Sequence, residues 1–471
     1  VRSTLFASFL LACGGSPAPA VKIAPPPVSS VPPLVLEQHP LVERHAVKGI
    51  AYALGQRVLV VDGATLTVLD RPDAAPVATR TLESALSFGT QPGDTPVRGN
   101  VIVGQRRDGT LVALDAATLR DAWSFPRSGK REYVIGIAHA KGTIATQWSL
   151  TGGADYEIVA LDDATGAVRW TRQGHMMNVW GGGSNIFLDD HAFTAVDAMT
   201  GKDVFQREHY GVHHVAADGA RVVTTYGDDT VRVLDARSGA ELSSAHVGVM
   251  QWGSEIAIDG GTAYVYASEI RDEELKAVPS VVAIDLATGT TRWRHETPNL
   301  LTTVHDGMST GGVATTPSSV LFCTSDGVLH ALDRARGNEQ WSYGVGHCNP
   351  IVVAEHGAAA YVQSDSGSDL LTPGERRPRK ATITGVVKLA DDPVAGATVT
   401  AFGRATTADA NGHYTLPIEA QGLVVVSARG TVPGDDKCDP SASGTSRVVS
   451  LDDRATYEVD VPVTQQCWCG L

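Results

Sequence analysis

The chain predicts an all-β protein, a β-propeller of four-stranded blades followed by a small β-sandwich. Three observations carry that expectation. A short motif built around Asp recurs at Asp70, Asp115, Asp162, Asp197, Asp235, Asp285 and Asp333, at intervals of 45, 47, 35, 38, 50 and 48 residues. Each copy is preceded by alternating apolar runs such as "TLVALD", "TVRVLD" and "SVVAID", the period of two that marks a half-buried strand. After residue 380 the motif stops and a different strand-and-turn pattern begins.

A repeat of this length describes a unit that cannot bury its own faces and must stack on neighbours. Upstream of each Asp lie two further strand-like runs split by turns, and downstream lies one more, as in "GVHHVAADGARVVTTYGDDTVRVLD" and the residues after it. Four strands per unit, repeated radially, make a propeller. The repeats fill residues 34–372. A pair of strands after Trp341 starts an incomplete unit that "PPLVLEQHPL" near the N-terminus would close, so eight blades are expected, with seven as the alternative.

Within the motif, Asp accepts N–H groups from the residues that follow it, and Gly at the fifth position (Gly166, Gly201, Gly239, Gly289, Gly337) supplies the positive φ of a bulged hairpin. Leu119 breaks the rule in its copy. Eight residues after the Asp stand Trp123, Trp170, Trp293 and Trp341, with Phe205 and Ser243 in the shorter copies. A large aromatic at this place is expected to fill the space between adjacent sheets.

The remaining segments are read in chain order. Residues 1–13, "VRSTLFASFLLAC", hold an Arg and an apolar run too short to span a bilayer, so they read as a signal segment. Their end resembles the bacterial lipoprotein signal, which implies lipidation at Cys13, an anchor in the membrane and, with Gly14 following, an outer-membrane destination. Residues 14–33 are a Pro-, Ala- and Ser-rich tether. Residues 373–380 form a linker that includes "GERRPRK", and residues 381–471 are the sandwich. The net charge of −14 argues against nucleic-acid partners, since no other basic run offsets it. Cysteines Cys323, Cys348, Cys438, Cys467 and Cys469 read as disulfide staples rather than redox centres, with pairing left open between Cys438 and Cys467 or Cys469.

The pattern [AV]-[LIV]-D-x-x-[TS]-G-x-x-x-W resembles the repeat of pyrroloquinoline-quinone-type propellers. The stretches Gly385 and Val387, Pro393 to Val399, and Thr407 to Leu416 resemble the carboxypeptidase regulatory-like, transthyretin-like module, with Asn411-Gly412 read as a hairpin turn. In outline the whole is similar to the lipoprotein propellers that help insert outer-membrane barrels, a likeness that covers the fold and the anchor only.

Catalytic signatures are absent from the sequence: there is no G-x-S-x-G, H-E-x-x-H or Walker loop. The resemblance to quinone enzymes stops at the repeat, because no adjacent cysteine pair is present. What stands out is the composition of the connections between units, "GHMMNVW", "EHYGVHH", "AHVGVMQW", "VHDGM" and "GHCN". They gather His175, Met176, His213, His214, Met250, His305, Met308, His347 and Cys348 toward one end of the channel. Imidazole, thioether and thiolate together are ligands for a soft metal such as copper, while polar channel lining with Met filling gaps is the plainer account and the one preferred.

The expected function is therefore a non-catalytic, lipid-anchored scaffold of the cell envelope that contacts proteins or glycans. No cofactor is expected. Copper or a small ligand at the channel mouth, and a quinone-dependent oxidoreductase, are the alternatives. The register itself is testable by denaturant unfolding. Trp293→Ala is expected to cost about 3–5 kcal/mol if the aromatic seals a blade interface, and a cost below about 1 kcal/mol would place Trp293 in solvent.

Overall fold

The computed structural model describes residues 41–467, except 55–56, 70–75, 89–96, 99, 153–154, 176–177, 209–210, 227–228, 249–255, 271–276, 298–312, 317, 325–326, 347–350, 354–359, 365–366, 375–377, 433–437, 447–448 and 452–453. Among these residues every regular element is a strand. Seven sheets are four-stranded blades, antiparallel throughout; one runs Arg131–Ala140, Thr143–Leu150, Asp155–Asp162, Val168–His175. A further sheet begins with the same four-strand meander, Val313–Thr315, Ser319–Cys323, Val328–Asp333 and Glu339–Val345, and continues into two strands from the C-terminal region, making six.

Apolar clusters lie between successive sheets rather than within them. One joins Leu59, Leu66 and Val68 to Ile102, Val112, Leu114 and Leu119; the next joins Val103 and Trp123 to Ile144, Trp148 and Val159. The pattern continues along the chain, and Val47 packs on the cluster Ala51, Val58 and Val60 of the first meander. The strand Leu41–Val47 itself lies on the outer edge of the sheet formed by Ile351–Val353, Ala360–Ser364 and Gly367–Gly374. An N-terminal strand thus completes this sheet; of the stretch "PPLVLEQHPL" only Leu41 belongs to the described residues.

The recurrent Asp ends the third strand of each meander and builds the turn that follows. Asp162 Oδ1 accepts the N–H groups of Ala164 (3.1 Å) and Thr165 (2.8 Å) and the Thr165 hydroxyl (2.8 Å). Asp115, Asp197, Asp235 and Asp285 take the same bonds from Thr118, Thr200, Ser238 and Thr288, and Asp333 takes the N–H of Arg336 at 2.8 Å. The fifth residue returns its N–H to the Asp carbonyl, 2.8 Å for Gly166, and sits at positive φ (69°). Leu119 adopts the same left-handed conformation, φ 59°, without being glycine.

That exception has a packing cause. A Cβ on Gly166 would lie 2.7 Å from the Trp123 ring of the preceding blade, and Gly201, Gly239 and Gly337 meet Trp170, Phe205 and Trp293 in the same way at 2.5–2.7 Å. The turn glycine is thus also the floor on which the neighbouring aromatic lies. Before Leu119 the equivalent position of the preceding blade is Ala78, opposite Val68 rather than opposite an alanine. Leu119, 1% exposed, fills the gap that the missing ring leaves.

The C-terminal strands form one curled nine-stranded sheet around their own core, which includes Ile383, Val387, Val399, Leu416, Val426 and Val461. The long strand Arg379–Leu389 is shared. Its first eight residues pair with His413–Ala420, and its last three pair in parallel with Val461–Val463. The reading of Asn411-Gly412 as a hairpin is corrected here: Arg404–Thr407 pairs with Thr398–Ala401, not with His413–Ala420. The turn is still local, because Asp409 Oδ1 accepts the N–H groups of Asn411 (2.8 Å) and His413 (2.9 Å). Cys438 lies opposite Cys467 in the ladder.

Leu119→Gly removes a buried side chain and relieves a strained φ, so a net loss of about 1–4 kcal/mol is expected. Adding Ala78→Trp to Leu119→Gly should recover part of that loss, giving a favourable coupling of about 1 kcal/mol or more in a double-mutant cycle. Additive costs would show that the two positions do not share one space.

Candidate ligand cavity on the connection face

The outer strand of each blade leads to the inner strand of the next at one end of the propeller, and a cavity of about 930 Å3 opens there. Three neighbouring blades line it. Val168–His175 brings His175 to its rim; the meander Asn178–Gly182, Asn185–Asp189, Ala192–Asp197 and Asp203–Glu208 contributes Asp189, Asp190, His191 and Glu208; Gly211 and Val212 belong to the entry of the next. The tight turn between the second and third strands of the middle blade, "DDHA", pushes Asp190 and His191 outward.

Two imidazoles face each other across this opening. The His175 and His191 rings are 6.1 Å apart, centre to centre, and tilted by 60°. His175 Nδ1 stands 2.5 Å from Asp155 Oδ1 on the neighbouring strand. His191 Nε2 stands 3.8 Å from Asp190 Oδ1, an atom that is buried and has no hydrogen-bond partner among the described residues. Arg207 also lines the cavity, but one of its guanidinium N–H groups donates to the Gly239 carbonyl at 3.0 Å, so its charge is committed to the next blade. The opening thus carries, on a largely apolar lining, carboxylates and imidazoles that can accept or donate hydrogen bonds to a small cationic or polyhydroxyl guest.

The residues singled out in the connections meet different fates. His175 lines the cavity. His213 and His214 lie on the inner strand Val212–Ala217 that starts at its edge. Cys13, Met176, Met250, His305, Met308, His347 and Cys348 lie outside the described residues. Among the described residues no three His, Cys, Asp or Glu side chains converge in a way that would hold a metal ion. The sequence does not single out Asp189, Asp190, His191 and Glu208, because a two-residue turn at 190–191 and the last residues of the strands Asn185–Asp189 and Asp203–Glu208 carry no motif; the acidic pair next to a His is the one signal there.

Three of the four repeat tryptophans share one arrangement. The indole N–H groups of Trp123, Trp170 and Trp293 donate to the carbonyls of Asp163 (2.8 Å), Ala198 (2.9 Å) and Arg334 (2.9 Å), each the residue after the recurrent Asp in the next blade. Trp341 is half-buried against the cluster of Leu321, Leu329 and Tyr343. Among the described residues, the sheet that follows it shows no such Asp turn. Cys323 is 1% exposed and disulfide-bonded.

A family model described as the outer membrane protein assembly factor BamB matches residues 41–227 and again 227–375. No curated protein is matched by the chain. Among solved structures, the computationally designed Ika8 protein is 15% identical, over 72% of this chain and 98% of its own, with a TM-score of 0.50. The quinohemoprotein alcohol dehydrogenase ADHIIG from Pseudomonas putida HK5 is 14% identical over 75% and 79%, also at 0.50. BamB from Moraxella catarrhalis is 15% identical over 72% and 99%, at 0.48. At such identities the likeness speaks to the fold alone.

His214 is the expected site residue whose protonation its surroundings decide. Burial of the ring lowers its pKa from 6.5 to about 4, and Nδ1 has no partner among the described residues. A folded-state value below the unfolded one means that the stability it contributes is present above pH 6.5 and is lost as pH falls toward 4, by roughly 3 kcal/mol in all. Urea midpoints measured against pH should fall through that window in the parent and stay flatter in His214→Gln. Asp162 and Asp285, held at about 2 by hydrogen bonds from Thr165 and Arg169 and from Arg292 and Thr288, lose their contributions only below the usual carboxylate range.

Proposed function

The chain belongs to the family of the outer membrane protein assembly factor BamB, and from that premise we propose that it is a non-catalytic, lipid-anchored propeller of the cell envelope that serves as a scaffold for protein contacts. The observation that carries this reading is the family match, which runs from the first described strand to the end of the last meander. The anchor is Cys13 and the membrane is the outer one, in keeping with the signal-like residues 1–13 and the tether that follows. Glycans are the other class of partner such a surface takes.

The same reading counts the meander Val313–Val345 as a blade, which gives the ring eight. Contact of Val47 with the first meander supports it, since the sheet 351–374 then lies between that meander and the first. The C-terminal region is read as a carboxypeptidase regulatory-like sandwich. A long strand that changes partners halfway, as Arg379–Leu389 does, is how strands pass between the layers of a sandwich.

A small-ligand role for the cavity is the second reading, favoured by the His175 and His191 pair. The quinone enzymes of this fold are a poorer match: the chain has no adjacent cysteine pair, and Cys323 is buried at the end of a strand and disulfide-bonded.

In-cell crosslinking of the full chain from its native envelope tests the scaffold. A recurrent protein partner, lost from the membrane fraction together with the propeller in Cys13→Ala, is the expected result. Dye-linked alcohol oxidation by the purified protein would overturn it, as would a membrane fraction that keeps Cys13→Ala unchanged for the anchor.

A further inference from the structure

The net charge of −14 hides a cationic patch built from two short basic stretches, QRR at 105–107 and RSGKR at 127–131. In the blade of Val101–Gln105, Leu111–Asp115 and Asp121–Phe125, the turn 106–109 and the connection 126–130 lie side by side on the connection face. Arg106, Arg107, Arg127 and Lys130 are all exposed there, and none forms a salt bridge among the described residues. Arg127 lies directly over Gly109, where an added Cβ would meet its Cδ at 2.6 Å.

The backbone under these cations is held on both sides. Gln105, which is buried, donates to the Gly109 carbonyl at 3.0 Å and accepts the Val134 N–H of the next blade at 3.1 Å. The Lys130 carbonyl accepts the N–H (2.8 Å) and hydroxyl (3.1 Å) of Thr151. The one carboxylate in the turn, Asp108, accepts the Thr110 N–H at 2.8 Å, which holds its pKa below the usual value and keeps it ionised, so it offsets one of the four cations, with Arg106 the one it acts on. On the following blade Glu157 accepts from Arg131 at 2.7 Å, and Glu132 precedes Tyr133 in the strand that begins at Arg131. Next to Val134 stands Tyr133, an aromatic 52% exposed.

We propose that this patch is a docking site for an acidic segment of a partner protein. Three arginines present planar forks that match carboxylates in bidentate geometry, and an exposed tyrosine beside them completes the residue types that dominate binding energies. Four cations held on a rigid frame outnumber the carboxylates of Asp108 and Glu132 beside them in the chain, and an anionic partner relieves the repulsion that is left. The proposal rests on the scaffold reading and names the chemistry of its partner.

The test uses the full chain and a short fluorescein-labelled peptide of alternating glutamate and serine, followed by fluorescence anisotropy. The parent should bind the peptide, with affinity falling about tenfold between ~50 and ~200 mM salt. The double variant R106E/R127E should lose at least about tenfold, while R429E, on an exposed strand of the C-terminal sheet, should bind as the parent does. If reversal disturbs folding, R106A/R127A with an unchanged unfolding midpoint serves instead. Undiminished binding by either double variant overturns the proposal, and so does parent protein that ignores the peptide but sediments with phosphatidylglycerol vesicles. A photo-crosslinker placed at Tyr133 separates the two readings. If it captures nothing while one elsewhere on the ring captures a partner, the patch fails and the scaffold stands; if neither captures a protein, the scaffold reading fails.

Discussion

Three blades pass their neighbours an aromatic ring and an indole N–H, from Trp123, Trp170 and Trp293, and the neighbour receives them on the turn that follows its recurrent Asp. Everything else in the ring depends on that exchange, because a four-stranded sheet has two apolar faces and no means of covering them alone. The Asp makes the turn by taking up N–H groups that would otherwise be unpaired, the turn places a glycine at positive φ, and the missing Cβ leaves room for the ring. The carbonyl next to the Asp then accepts the indole proton. One short motif therefore settles local geometry and the contact between blades at once.

The exceptions are as informative as the rule. Ser243 replaces a tryptophan yet still sends its hydroxyl to Leu286 O at 3.4 Å, the equivalent carbonyl, and its smaller side chain is matched by Val233 where the other blades have alanine opposite the ring. Phe205 has no N–H to give, and the carbonyl it leaves, Ala236 O, is taken at 2.7 Å by Asn185 Nδ2. With Ala78 the volume is restored from the other side, by Leu119. In every case the hydrogen bond or the packing volume is conserved while its source changes, as close-packed interiors require.

The C-terminal sheet joins the ring at a place where only backbone can meet backbone. Gly344 and Val345 pair in parallel with Gly422 and Leu423, the Gly344 N–H reaches Gln421 O at 3.0 Å, and a Cβ on Gly344 would fall 1.8 Å from Leu423 O. At the same distance from the Asp the other blades carry Pro126, Gln173, Glu208, His246 and Glu296. A Cβ at 344 would collide with the added strand, and the glycine leaves that space open. That leaves the connection face, with its cavity and its cations, as the part of the ring whose chemistry varies most from blade to blade.

The sequence by itself determined the repeat, the strand that ends at each Asp, the turn and the aromatic eight residues on, because these are encoded by neighbours along the chain at periods that backbone geometry imposes. It also pointed to the connections as the place where unusual side chains collect. It did not reveal that Leu119 answers Ala78, that His191 faces His175, or that Arg106 and Arg127 share one surface in an acidic chain. It also misread Asn411-Gly412 as joining two paired strands. Those outcomes were decided by tertiary structure: which side chains share a space follows from how strands are stacked and which way each turn projects, and neither is written in the spacing of residues along the chain.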